Sequence, residues 1–333
     1  MLKASPRTFA RWLVLVAAIV FIMVVVGGIT RLTESGLSMV RWDPISGIIP
    51  PLNPAQWAAE FQAYRVTPEG RLNLAGGMTL TEFKSIFFWE YLHRVIGRVI
   101  GLAMILPLVW FAIRREIPDG FGGRLAALAA LVVLQGAIGW WMVASGLVNR
   151  PDVSHIRLAI HLLTALVFFG GLIWTALDLL TPGGPATLRG FPLLVLAIVA
   201  LQLMFGAFTA GLNGGQAAAT WPLMNGEVFP SGGWDPGIGL VGNIVDNPLV
   251  VQFIHRWWAW IAAAAALLLA KRSREALPIA PLMIASLVTL QIMLGIATLL
   301  SGVAIPIAAA HQAVAVLLLA AIVRTAHAIG AQR

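Results

Sequence analysis

The sequence predicts an all-α polytopic membrane protein, with eight transmembrane helices arranged as two pseudo-symmetric four-helix bundles. Three observations lead there. Of 333 residues, 59% are hydrophobic and 11% charged, whereas a soluble domain carries about 25% charged residues. Apolar runs long enough to cross a bilayer, roughly 20 residues each, recur along the whole chain. The second half also repeats motifs of the first.

The runs fall at 12–30, 86–112, 125–145, 156–178, 191–212, 250–270, 279–301 and 306–328. The first follows Lys3, Arg7 and Arg11, as the apolar core of a signal peptide would. It lacks a small-residue cleavage site and is long enough to span, so it is expected to be a retained helix. The short connections at 113–124, 179–190 and 271–278 carry Arg114, Arg115, Arg124, Arg189, Lys271, Arg272 and Arg274. With eight crossings these connections share one side with both termini, and basic residues gather on the cytoplasmic side. A bacterial inner (plasma) membrane protein with cytoplasmic termini is expected. The formal charge of +8 belongs to this pattern and implies a lipid bilayer, not nucleic acid, as the partner surface. With no cysteine in the chain, disulfides, thiolate metal sites, iron–sulfur clusters and cysteine nucleophiles are excluded within it.

The other side carries two long loops, 31–85 and 213–249. Their runs "WDPISGIIPPL" and "TWPLMNG" predict folded caps near the interface, where tryptophan is favoured; disordered segments are poor in aromatics.

The repeat divides the chain into residues 1–180 and 181–333. "LQGAIGWWMVASGL" from Leu134 matches "LQIMLGIATLLSGV" from Leu290, aligning Gln135, Gly139 and Ser145-Gly146 with Gln291, Gly295 and Ser301-Gly302 at an offset of 156. "GGITRL" from Gly27 resembles "GAFTAGL" from Gly206, and "FFWEYLHRVIGR" resembles "VVQFIHRWWAW". An even number of helices per half makes the repeat parallel. Four-helix bundles build cofactor sites from side chains on facing helices.

A histidine inside a spanning helix is a functional hypothesis by default. His93, His161, His255 and His311 fall on the second, fourth, sixth and eighth runs, each roughly 4–8 residues from the outer end, or about 6–12 Å at 1.5 Å per residue. Two imidazoles at one depth in each half suit the axial positions of a haem iron. Zinc is the rival: it takes about four Cys, His or carboxylate ligands. One half offers His93, His161 and Glu90, the other His255 and His311 alone. His155 lies on a different helix face from His161, and His327 lies near the cytoplasmic end; both read as structural or solvated. Arg94 and Arg256 each follow a histidine, and Arg98 comes one turn after Arg94. They read either as snorkelling toward the outer interface or as partners of haem propionates, which suit the guanidinium fork. Glu90 stands three residues before His93, on the same helix face, where the second copy has Gln252. In apolar surroundings such an acid would hold or relay a proton.

Taken in order, "TRLTESGLSMVRWDPISGIIPPL", "EYLHRVIGR", "LQGAIGWWMVASGL", "AGLNGGQ…TWPLMNG", "QFIHR" and "HQAVAVLLLA" resemble haem A synthase of the proteobacterial and mitochondrial type, from about Gly27 to Ala320. The resemblance implies oxidation of the C8 methyl of haem O to a formyl group through a hydroxymethyl intermediate, giving haem A for cytochrome oxidase. It implies haem O as substrate in the N-terminal bundle, with His93 and His161 as iron ligands, Arg94 and Arg98 nearby, and Glu90 as the essential acid. It implies haem b as cofactor in the C-terminal bundle, with His255 and His311 as ligands and Arg256 beside it. Haem O synthase would act upstream, and the oxidase or its assembly factors downstream; the electron donor is not named by any motif. Two departures stand out. Some family members carry a cysteine pair in an outer loop, and this chain has none. Relatives often place Tyr-Asn before Thr-Trp-Pro, where this chain has Ala218-Ala219.

Two other functions compete. A di-haem, cytochrome b561-like electron carrier without catalysis explains the four histidines but not Glu90 or the folded loops. A transporter built on a parallel repeat would place its ionisable groups near the midplane, whereas here they cluster toward the outer end. Glycine-rich "VVVGGIT" permits close helix contacts, either inside the bundle or in a homo-oligomer.

Overall fold

A computed structural model describes residues 5–43, 46–147, 150–182 and 184–332; Lys3 lies outside them. Eight helices are long and apolar enough to cross a membrane. We number them as spans: span 1 (Pro6–Leu32), span 2 (Leu80–Ile113), span 3 (Gly122–Val143), span 4 (His155–Leu180), span 5 (Phe191–Gly211), span 6 (Pro248–Arg272), span 7 (Ala280–Leu300) and span 8 (Ile305–Ala331). No strand occurs among the described residues. The ends follow local chemistry. Ser5, Thr79, Ser154 and Asn247 cap spans 1, 2, 4 and 6 by accepting from backbone N–H groups, which satisfies donors that a helix start leaves without partners. Thr79 and Glu82 form a full capping box.

Spans 1 and 2 each begin six residues before the expected apolar run, and at span 2 the extension builds the first cap. Span 2 begins at Leu80, two turns before the apolar run from 86. Those turns carry Phe83 and Phe87, which pack with Tyr64 into a buried cluster joined by Trp57, Phe61 and Met39. The first outer loop is thereby a folded cap. Its helices Pro54–Arg65 and Pro68–Ala75 start at Asn53 and Thr67. The second cap carries short helices at Gly214–Ala217 and Gly239–Asp246, tied by Asn243 and Asn247 side chains to the carbonyls of Asp235 and Gly233.

Spans 1–4 close a ring through contacts 1–2, 2–3, 3–4 and 4–1; spans 5–8 close another through 5–6, 6–7, 7–8 and 8–5. The rings meet along spans 1, 4, 5 and 8. One apolar core runs through both, from Phe9 and Leu13 through Phe168 and Leu172 to Leu269 and Ile322. Outward residues such as Leu15, Leu102, Leu282 and Met293 are exposed and apolar, as a lipid-facing surface requires.

The glycines of "VVVGGIT" work inside the molecule. A Cβ on Gly28 would lie 1.8 Å from Gln312 Oε1 on span 8, and Gln312 Nε2 donates to the Val24 carbonyl at 2.9 Å. Only glycine lets spans 1 and 8 approach this closely. At the opposite end, Asp178 Oδ1 accepts from His327 Nε2 at 2.8 Å and from the Ala186 N–H at 2.8 Å, and Oδ2 pairs with Arg124. A buried carboxylate with three donors joins spans 3, 4 and 8 to the 181–190 connection.

Candidate functional site

The four span histidines share one seat. Each packs edge-on against a glycine of the preceding span, where a Cβ would intrude. The added carbon would lie 3.1 Å from His93 at Gly27, 3.0 Å from His161 at Gly139, 2.9 Å from His255 at Gly206 and 2.9 Å from His311 at Gly295. Spans 1, 3, 5 and 7 thus supply the shelves, and spans 2, 4, 6 and 8 the imidazoles.

His93 and His161 have ring centroids 6.5 Å apart, at 63°. An imidazole nitrogen sits about 2 Å from a metal it ligates, so two rings flanking one ion have centroids about 6 Å apart. Among the described residues no three His, Asp or Glu side chains converge on a bare metal ion, which leaves the zinc reading without a site.

Glutamines hold three of the rings. Gln135 Nε2 lies 3.1 Å from His161 Nδ1 and donates to the His161 carbonyl at 2.8 Å. Gln202 Nε2 stands in the same relation to His255, at 3.1 Å and 3.1 Å. Gln291 Nε2 lies 3.3 Å from His311 Nε2, and His311 Nδ1 is 3.1 Å from the Gln291 carbonyl.

Outside this layer, each half anchors its own cap. Arg94 donates to the Met39 carbonyl at 2.8 Å and the Arg41 carbonyl at 2.8 Å, and lies over the Trp42 ring. Arg256 donates to the carbonyls of Pro222 at 3.2 Å and Ala218 at 3.3 Å, and lies over the Trp221 ring. Arg98 donates to the Asp43 carbonyl at 2.7 Å. These arginines reach into the caps and do not simply snorkel.

Glu90 is 2% exposed, but its surroundings are not the apolar ones expected. Oε2 accepts from Ser38 Oγ at 2.8 Å and the Met39 N–H at 2.7 Å; Oε1 accepts from Arg94 Nε at 3.0 Å and Nη2 at 2.5 Å. Arg94 lies one turn after Glu90 on the same helix, but Ser38 and Met39 lie in a loop far from Glu90 in sequence, so helix spacing could not reveal them. Gln252 makes the inverse contact: its Nε2 donates to the Ala218 carbonyl at 3.0 Å.

The family model COX15-CtaA, described as cytochrome oxidase assembly protein, matches residues 10–323. The chain belongs to this family. A haem A synthase from Rhizorhabdus wittichii is 53% identical over 97% of this chain and 94% of that protein. Those of Sphingopyxis alaskensis and Novosphingobium aromaticivorans are 51% and 49% identical, over 98% and 99% of this chain.

For this member of the COX15-CtaA family, two histidines stand apart from the seats. His155 is buried, 3.2 Å from Asp246 Oδ1 and edge-on to Phe208. His327 is buried against Asp178 and Trp174. Both are structural, and neither is solvated. Sequence reasoning missed Ser38 and the roles of the glycines and glutamines. A signal for the latter exists: glutamine four residues before glycine recurs at Gln135–Gly139, Gln202–Gly206 and Gln291–Gly295.

A titratable group also lies in the first cap. Glu69 is 8% exposed. Burial, reinforced by the negative charges of Glu90, Glu34 and Asp152, pushes its carboxyl up from 4.5 to about 8, with Arg31 opposing.

Proposed function

We propose that the chain is a haem A synthase, an oxidoreductase that converts the C8 methyl of haem O to a formyl group through the hydroxymethyl stage. The observation that carries this reading is the pairing of four glycine-seated histidines with one acid, Glu90, present in only one half. The b561-like carrier alternative draws no support from family membership, and a carrier has no use for a single carboxylate beside one of two sites.

The residues fit haem in both halves. Histidine ligates through one nitrogen while the other hydrogen-bonds to an acceptor that fixes the tautomer. His311 Nδ1 has the Gln291 carbonyl. At His161 and His255 the group facing Nδ1 is the amide Nε2 of Gln135 or Gln202, which also donates to the same histidine's carbonyl. In this reading residues 1–180 bind haem O through His93 and His161, and residues 181–333 bind haem b through His255 and His311. Haem b supplies one-electron transfer when bound.

The chain's own groups then divide the work. The glycine shelves set the rings at one depth. The caps exclude water from above. Taking a methyl to a formyl adds one oxygen atom and removes two electron pairs; written with water as the oxygen source it releases four protons for four electrons, and Glu90 is the group placed to take up a proton. Arg94 orients the Glu90 carboxylate by two hydrogen bonds, and a propionate at Arg94 or Arg256 would share the guanidinium with cap carbonyls; Arg98 lies beside the same site. Both termini and the arginine-rich connections face the cytoplasm, in the inner membrane. The substrate comes from a haem O-forming reaction, and the product goes to oxidase assembly.

Expression beside a haem O synthase in a host lacking haem A tests this. Extracted pigment should contain haem A. A preparation holding two equivalents of haem b, with haem O left unconverted in the cells, would establish the carrier instead.

A further inference from the structure

The first cap buries a second carboxyl near Glu90. Glu69 is 8% exposed, and its Oε2 is buried without a hydrogen-bond partner among the described residues. It stands in the first turn of the helix Pro68–Ala75, a place that ordinarily favours the charged form. The turn is fixed to its neighbour. Thr67 Oγ1 donates to the Tyr64 carbonyl at 2.8 Å and accepts from the Gly70 N–H at 3.0 Å, and a Cβ on Gly70 would collide with the Tyr64 carbonyl. Tyr64 is fully buried and packs on Phe83, two turns before Glu90 on span 2. Acids from four parts of the chain meet here. Glu69 is in the cap helix, Glu90 in span 2, Glu34 just past span 1 and Asp152 just before span 4, with Arg31 as the opposing cation and Tyr64 alongside. Exposure rises along the series: Glu90 is at 2% and Glu69 at 8%, while Glu34 and Asp152 face solvent.

We propose that Glu69 is a proton-relay residue, taking a proton from Glu90 and delivering it to water at the outer face beside Glu34 and Asp152. This rests on the function proposed above, in which Glu90 takes up a proton. The groups that hold Glu90 cannot carry that proton away by themselves. The Arg94 guanidinium and the Met39 N–H are donors only, and the Ser38 hydroxyl passes a proton on only if another group accepts it. Glu69 is the buried carboxyl next in line. In the transfer the proton leaves the Glu90 carboxyl, which returns to a carboxylate inside its shell of donors. The Glu69 carboxylate becomes the acid, then loses the proton to water. Burial, with the negative charges of Glu90, Glu34 and Asp152, raises the Glu69 carboxyl from 4.5 to about 8 against the pull of Arg31. A group poised near the working pH both accepts and releases a proton, whereas an ordinary carboxylate stays ionised there. The other half lacks this device. Gln252 stands where Glu90 would be, and the acids of the second cap, Glu227, Asp235 and Asp246, are all exposed.

Glutamine separates a relay from a structural acid, because it keeps the shape and neutrality of protonated Glu69 but cannot ionise. In cells that make haem O, Glu69→Gln should keep the haem content per chain, which reports folding. It should lower haem A formation about 10-fold, less than the about 10²–10⁴-fold of a group acting in the transition state. Glu69→Asp should restore part of the loss. In the wild type, haem A formation should rise as external pH climbs toward about 8, because the carboxylate form receives the proton; Glu69→Gln should lose that slope. Infrared titration of the purified full-length protein reads the same coupling without turnover. The carboxylic-acid band that disappears in Glu69→Gln should titrate at lower pH in Glu90→Gln, because removing a neighbouring negative charge favours the ionised form. The relay is overturned if Glu69→Gln forms haem A at the wild-type rate, or if the Glu69 midpoint does not move in Glu90→Gln. A wild-type chain that forms no haem A overturns the function itself, a failure that the infrared coupling keeps distinct from loss of the relay.

Discussion

The two halves of this molecule use one frame with opposite polarity at a single point. In the C-terminal half, Gln252 donates to a cap carbonyl. In the N-terminal half, Glu90 accepts from a cap hydroxyl and a cap N–H while an arginine closes its other oxygen. The neighbouring arginines behave alike in both halves, each over a cap tryptophan and bonded to cap carbonyls. The lesson is that a duplicated scaffold can be specialised by inverting one hydrogen-bonding partner set. The cap must change with it, because a carboxylate requires donors where an amide tolerates an acceptor.

The sharpest way to break the comparison is to erase that difference. Glu90→Gln should lower haem A formation by about 100-fold or more, the scale of a lost general acid or base, while haem b stays bound; near-normal haem A in pigment extracts would remove Glu90 from the chemistry. His255→Leu comes next. It should abolish the haem b absorption spectrum without unfolding the chain, and a surviving spectrum would move the ligand elsewhere.

Shelf glycines should give smaller effects. Gly206→Ala or Gly295→Ala forces a methyl to within 2.9 Å of an imidazole, an overpacking that costs about 1–3 kcal/mol. Haem occupancy in the C-terminal half should fall in thermal titration. Gly136→Ala, where nothing lies within 4 Å of the added carbon, should be silent; equal losses at all three would show that the shelves do not act through the rings.

The smallest effect concerns the first cap. The Glu69 carboxyl sits at about 8 in the fold, above 4.5, so the folded cap binds the extra proton. Its contribution is full below about 4.5 and is lost as pH rises through about 8. Protease resistance of the cap should decline across that window, and Glu69→Gln should flatten the decline. An unchanged pH profile in the variant would assign the decline to other groups.

Much of this was legible in one dimension. The spans, the parallel repeat and the four histidines all follow from hydropathy and spacing, because a bilayer forces each crossing into a helix that satisfies its own backbone. Span 2 extends past its apolar run at the outer end. Its first two turns are amphipathic and pack on Tyr64 in the cap, where a run of apolar residues is no guide. Glu90 stands out because the second copy lacks it, but half of its hydrogen-bonding shell comes from outside its own helix. Ser38 and Met39 reach it across a loop, and no helical period relates them to it. Gln135 and Gln291 were visible as repeat markers, but their use was not.

What the sequence determined by itself, then, is the set of groups and their depth: eight crossings, four histidines near one level, and a single acid in one half. Those depend on local periodicity and on the cost of placing polar groups in lipid. What only the tertiary structure decided is how each group is held: which glycine seats which ring, which amide reaches it, and which loop donors surround the carboxylate. Such contacts join residues on different spans and caps, so they exist only once the helices have packed.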